Sequence, residues 1–126
     1  MNLGRLLSSG MAMALFLWGT SAGANGQLKT IGKGKAMVLD FKQFKGEYAA
    51  NYKVFKVRCT KCHEMRRPII ALQTGVTPMT GSNFDRAGIK VYVIKMMRKA
   101  HSNIDKPDAK KIIRFLVHAR NLAQGK

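Results

Sequence analysis

Cys59-Thr60-Lys61-Cys62-His63 constrains this chain more than any other stretch, and it holds the only two cysteines in 126 residues. The C-x-x-C-H spacing lets two thiolates add to the two vinyl groups on one edge of a haem. The histidine that follows then lies under the porphyrin with a ring nitrogen toward the iron. Three other readings fit two cysteines: a thioredoxin-like redox pair, half of a zinc site, and a chance spacing. A redox pair needs no trailing histidine and usually follows a strand in a βαβ pattern, which is lacking here. A zinc site needs two more ligands at short spacing, and the remaining histidines, His101 and His118, stand far apart. The motif therefore predicts one covalent haem c, held by Cys59 and Cys62 and ligated by His63.

The N-terminus agrees with that chemistry. Arg5 lies in a short basic opening, Met11–Trp18 is apolar, and Gly19–Ala24 is rich in small residues. Ala22-Gly23-Ala24 reads as a signal-peptidase site, so residues 1–24 are expected to be a cleaved signal peptide and Asn25 the mature start. The apolar run is well short of the ~20 residues that span a bilayer. Bacterial attachment of haem to this motif takes place outside the cytoplasm, which points to the periplasm. Free thiols are a liability in that oxidising compartment, and thioether formation removes both.

The remaining 102 residues suffice for one small domain. Of 23 Lys+Arg only Arg5 is lost with the signal, leaving 22 against 6 Asp+Glu, a formal +16. Such an excess favours encounters with negative surfaces. An exported protein rarely meets nucleic acid, so an acidic protein or an anionic membrane surface fits better; acidic redox proteins are the expected partners, and a monomer without a membrane span is expected. Residues 25–46 read as a basic arm: Gly26, Gly32, Lys33, Gly34 and Lys35 form a loose part. The apolar residues from Met37 to Phe44 lie as extended chain over the core.

Helical periodicity dominates residues 47–126. Tyr48, Tyr52 and Phe55 recur at i, i+4, i+7 from Glu47 to about Arg58, ending at the haem motif. Residues 66–86, with Pro68, Gly75, Pro78 and Gly81, read as a loop with one short turn at Ile69–Gln73. A helix is expected from about Asp85 to Lys99 with Ile89, Tyr92, Val93, Met96 and Ala100 on its apolar face. The last helix is expected over Lys106–Leu122, capped by Asp105, with Ala109, Ile112, Ile113 and Leu116 inward and Phe115 beside them. Nothing alternates as strand. The class is all-α, with three to four helices.

Phe55 four positions before Cys59, the C-T-K-C-H motif, and the run Asp105–Leu116 together resemble a small monohaem class I cytochrome c. The resemblance covers about residues 47–122. It implies an N-terminal helix that ends in the motif and crosses a C-terminal helix near Phe55 and Phe115. Where that family usually has a glycine, this chain has Asn51, which implies a wider or differently angled crossing. It also implies a proline carbonyl behind the proximal histidine, for which Pro68 is the nearest candidate. Phe41, Phe44 and Tyr48 are candidates to shield the haem edge.

The distal ligand is open among Met96, Met97, Met79 and His101. Met65 is too close to His63, Met37 precedes the motif, and His118 points away from its helix's buried face and is expected in solvent. In the resembling family the axial methionine comes shortly before the C-terminal helix, which favours Met96-Met97. Met96 lies at the centre of the apolar face and Met97 about 100° off it, so Met96 is the expected ligand. His/Met ligation leaves no open site, so single-electron transfer is expected, with Lys56 and Lys61 beside the motif to dock acidic partners. A small haem enzyme or gas sensor with an open distal site is the alternative. A basic nucleic-acid or membrane-binding module without redox role is a further one.

Overall fold

The structure, a computed structural model, describes residues 28–126. The expected signal peptide and the start at Asn25 lie outside these residues.

Leu28, Leu39 and Phe44 bury their side chains, so the arm is part of the core rather than a tether. Its polar stretch makes an exposed turn, Gly34–Ala36, between two short strands, β1 (Thr30–Ile31) and β2 (Val38–Leu39). They pair antiparallel, with Thr30 opposite Leu39 and Ile31 opposite Val38. No strand was expected. Two residues are too few to alternate visibly, and the ladder exists because Leu39 has a core to enter. Gln43 ties the arm to itself, accepting from the Lys29 amide at 2.9 Å and donating to the Lys29 carbonyl at 2.8 Å.

The first helix, α1 (Gly46–Cys59), delivers the motif from its last turn. Tyr52 and Phe55 bury their rings as the periodicity requires, and Asn51 is buried beside them. The Tyr52 hydroxyl donates to the Leu39 carbonyl at 3.1 Å, which fastens β2 onto α1.

Residues 66–74 are not a loop. They form α2 (Arg66–Thr74), with Met65, Ile69 and Leu72 buried at i, i+4, i+7. Pro68 is accommodated because it sits in the first turn, where an amide hydrogen has no intrahelical acceptor. Gly75 ends the helix at φ 81°, a left-handed cap. The following hairpin is closed by a Val76–Asn83 bridge and by hydroxyls: Thr77 and Thr80 lie 2.6 Å apart, Thr80 and Ser82 2.9 Å.

The third helix, α3 (Arg86–Met97), is capped by Asp85, whose carboxylate accepts from the Gly88 amide at 2.8 Å. It stops before Lys99, leaving Ala100 exposed beyond its end instead of on the apolar face. The last helix, α4 (Lys106–Ala123), has the expected Asp105 cap, which accepts from the Asp108 amide at 2.7 Å. Phe115 is at the centre of its inner face, not beside it, and Ile113 is only half-buried.

Helix α4 packs against α1, α2 and α3. Phe55 and Phe115 meet at 5.0 Å between ring centroids, and Phe44 stands edge-on to Phe115 at 4.9 Å. Arg58 and Asp108, 2.7 Å apart, join the end of α1 to the start of α4. The described residues are therefore mostly helical, in agreement with the all-α class.

Candidate functional site

Helix α1 ends at Cys59, so the chain turns at Thr60 and places Cys62 in the open. Both cysteines are free. Cys59 is half-buried, and burial, with a smaller contribution from nearby Cys62, pushes its thiol up to about 12. His63 Nδ1 lies 3.2 Å from the Glu64 carbonyl. A carbonyl only accepts, so Nδ1 is the donor in this contact, and in the neutral ring Nε2 is then the nitrogen with a lone pair. The expected partner, Pro68, is instead buried in the first turn of α2.

Two clefts meet at His63. The wider, about 740 Å³, is bordered by Cys62 and His63, by Met37 and Val38 from the arm, and by Met79. The narrower, about 230 Å³, is bordered by His63, Pro68, Met79, Tyr92 and Met96. Arg67, Pro78 and Met79 border both. His63 and Met96 thus share one cleft, although they come from the motif turn and from α3. Met97 packs on the core and borders neither cleft. His101 is exposed in the connection to α4 at φ 61° and also borders neither.

Met79 borders both clefts from the tip of the Thr77–Ser82 hairpin, 75% exposed. Met37 borders the wider one. Nothing in the local sequence places either, because a hairpin tip and an arm are brought to a cleft only by tertiary packing. Tyr92 was read as packing alone. It also borders the narrow cleft, where burial, then nearby Cys59, push its phenol up to about 12 against the opposing pull of Arg67. A phenol in an otherwise aliphatic helix face is the sequence signal that marks it.

Phe41, Phe44 and Tyr48 border neither cleft. Phe44 is buried against Tyr52 and Phe115. Tyr48 stacks on His118 at 3.7 Å with the rings 6° from parallel. His118 is therefore half-buried under a tyrosine and not simply solvated, and burial holds its pKa below the usual histidine value.

The donor chemistry is soft and mixed: two thiols, one imidazole with a free nitrogen, and thioethers across a cleft. Among the described residues no group of three or more His, Cys, Asp or Glu could hold a metal ion by itself. No described helix is long and apolar enough to cross a membrane. No protein-family model, curated protein or solved structure matches the chain.

Proposed function

We propose that this protein is a periplasmic monohaem electron carrier of the cytochrome c type, a monomer passing single electrons between acidic redox proteins. The observation that carries the reading is the shared cleft: His63 and Met96 border one space, and the wider cleft that also meets His63 is bordered by free Cys62. The residues fit a haem c. Cys59 and Cys62 would tether it, His63 and Met96 would hold its iron, and Pro68, Ala71 and Met96 would offer it apolar surface. Such a group supplies reversible one-electron chemistry at iron.

The chain's own part is positional. The Glu64 carbonyl fixes the His63 tautomer. A thioether ligand from Met96 would favour the reduced form of the group and so raise its potential. Buried Ile89 and Val93 anchor the helix that carries Met96. Lys56 and Lys61, both exposed beside the motif, add positive charge near the tether.

A second reading, a haem protein with an open or labile distal site, is favoured by one observation: Met79 and Met96 both border the narrow cleft, so the distal side has two candidate sulfurs. Expression with haem-attachment machinery followed by acid-acetone extraction tests the tether. Colour should stay with the protein; passage of all colour into the solvent would refute the thioethers. Rapid carbon monoxide binding by the native ferrous protein would favour the open site.

A further inference from the structure

Helix α3 has two apolar faces. Ile89, Val93 and Met96 turn inward as the periodicity requires. Val91, Ile94, Lys95 and Arg98 recur at i, i+3, i+4, i+7 on another side, the spacing of a second continuous stripe. On this side Val91 is 67% and Ile94 38% exposed, and a shallow groove of about 550 Å³ runs between them and Lys95, Arg98 and Lys99. Helix α3 is therefore more apolar than a surface helix needs to be, and its surplus faces outward.

The charge on the stripe is of one sign. Lys95, Arg98 and Lys99 are exposed, and none makes an ion pair among the described residues. The negative end of the helix dipole stabilises cations in the last turn, and that alone explains a lysine or two. It does not explain why the cations continue the line of exposed Val91 and Ile94 along one groove. Exposed apolar side chains flanked by charge of one sign are the anatomy of a docking surface. Lys95 and Lys99 border both this groove and the narrow cleft beside Met96, so a partner seated on the stripe would lie next to that cleft.

Resting on the electron-carrier reading, we propose that the outer stripe of α3, Val91 and Ile94 followed by Lys95, Arg98 and Lys99 at its C-terminal end, is where an acidic redox protein docks, in preference to the Lys56/Lys61 side of the motif. The occupant is a protein with a carboxylate rim around a small apolar patch. An anionic membrane fits less well, because the stripe offers two aliphatic side chains and no aromatic for insertion.

The test uses the full chain, ¹⁵N-labelled and expressed with haem-attachment machinery, titrated at low salt with an acidic flavodoxin as probe. Amide shifts should centre on residues 91–99. Lys95→Glu with Lys99→Glu should weaken binding by about tenfold or more, in the range that steering charges command. Lys56→Glu with Lys61→Glu should weaken it less. Val91→Ser with Ile94→Ser should weaken the binding that survives at high salt. Shifts centred on residues 56–63, shifts spread evenly over the basic surface, or no shifts on α3 would each overturn the proposal. So would a stripe that responds to phosphatidylglycerol vesicles but not to the flavodoxin. The wild-type mapping needs no variant to fold, and it reads the docking face whether or not the haem content of the same sample bears out the carrier reading.

Discussion

Met96 and Met79 are chemically the same donor on two very different supports. Met96 is half-buried on a helix whose inner face is anchored in the core, and Met79 is at an exposed hairpin tip. A rigid support loses less entropy on ligation, so Met96→Ala should abolish the sulfur-to-iron charge-transfer band of the ferric holoprotein and admit carbon monoxide. Met79→Ala should leave the band in place. The reverse pattern would move the ligand to the hairpin, loss in neither variant would implicate Met97, and absence of the band from the wild type would point to His101. His118 gives a second test at this scale. Burial under Tyr48 lowers its folded pKa, although Glu47 pulls the other way. Between its ordinary value near 6.5 and that lower one, the unfolded chain takes up a proton that the folded chain does not. The contribution of His118 to stability is thus complete above the unfolded value and declines as pH falls through this window. The denaturant midpoint should drop from pH 7 to pH 5 by less in His118→Gln than in the wild type; parallel slopes would show that His118 titrates alike in both states. The run Cys59–His63 stands out in the sequence because its spacing is a local property. Met79, Met37 and Tyr92 were not, because what puts them at the clefts is how α2, α3 and the arm pack.

Three of the four helices could be read from apolar period and caps, because Asp85 and Asp105 announce starts and Tyr52 and Phe55 repeat down one side. Helix α2 escaped because Pro68 looks like a breaker unless one knows that it falls in a first turn. The two short strands escaped because a two-residue ladder carries no period. Gly88 is an element-scale feature that sequence alone misjudges. In the middle of a sequence it reads as a weak helix residue, and replacement by alanine would be expected to stabilise by roughly 0.5–1 kcal/mol on propensity. In the structure a Cβ there would collide with the Asn83 backbone carbonyl, at the point where the hairpin runs into α3. Gly88→Ala should therefore destabilise, by about 1–3 kcal/mol as overpacking commonly does. Urea denaturation decides by sign: a higher midpoint in the variant would show that the hairpin yields freely.

Across the whole molecule the cations greatly outnumber their partners. Only two ion pairs occur among the described residues, Arg58–Asp108 and Arg114–Glu47. A molecule so unbalanced repels itself. Raising salt from about 0.01 M to about 0.15 M shortens the screening length from ~30 Å to ~8 Å, which should raise the Tm of the purified protein. A Tm that falls instead would mean that the few ion pairs outweigh the general repulsion. Net charge was legible from composition; which face it would arm was not, because that depends on α3 turning Ile89 and Val93 inward. The arm has a different consequence. Lys35, Met37 and Val38 border the wider cleft, yet they precede α1 to α4 in the chain, and both the Gly34–Ala36 turn and β2 pack on α2. A two-strand ladder this short does not persist on its own. As a chain lengthens from its first residue, α1, the cysteine pair and α2 must all be made before that segment has anything to pack against. The arm's side of the cleft can therefore settle only once α2 exists to receive it.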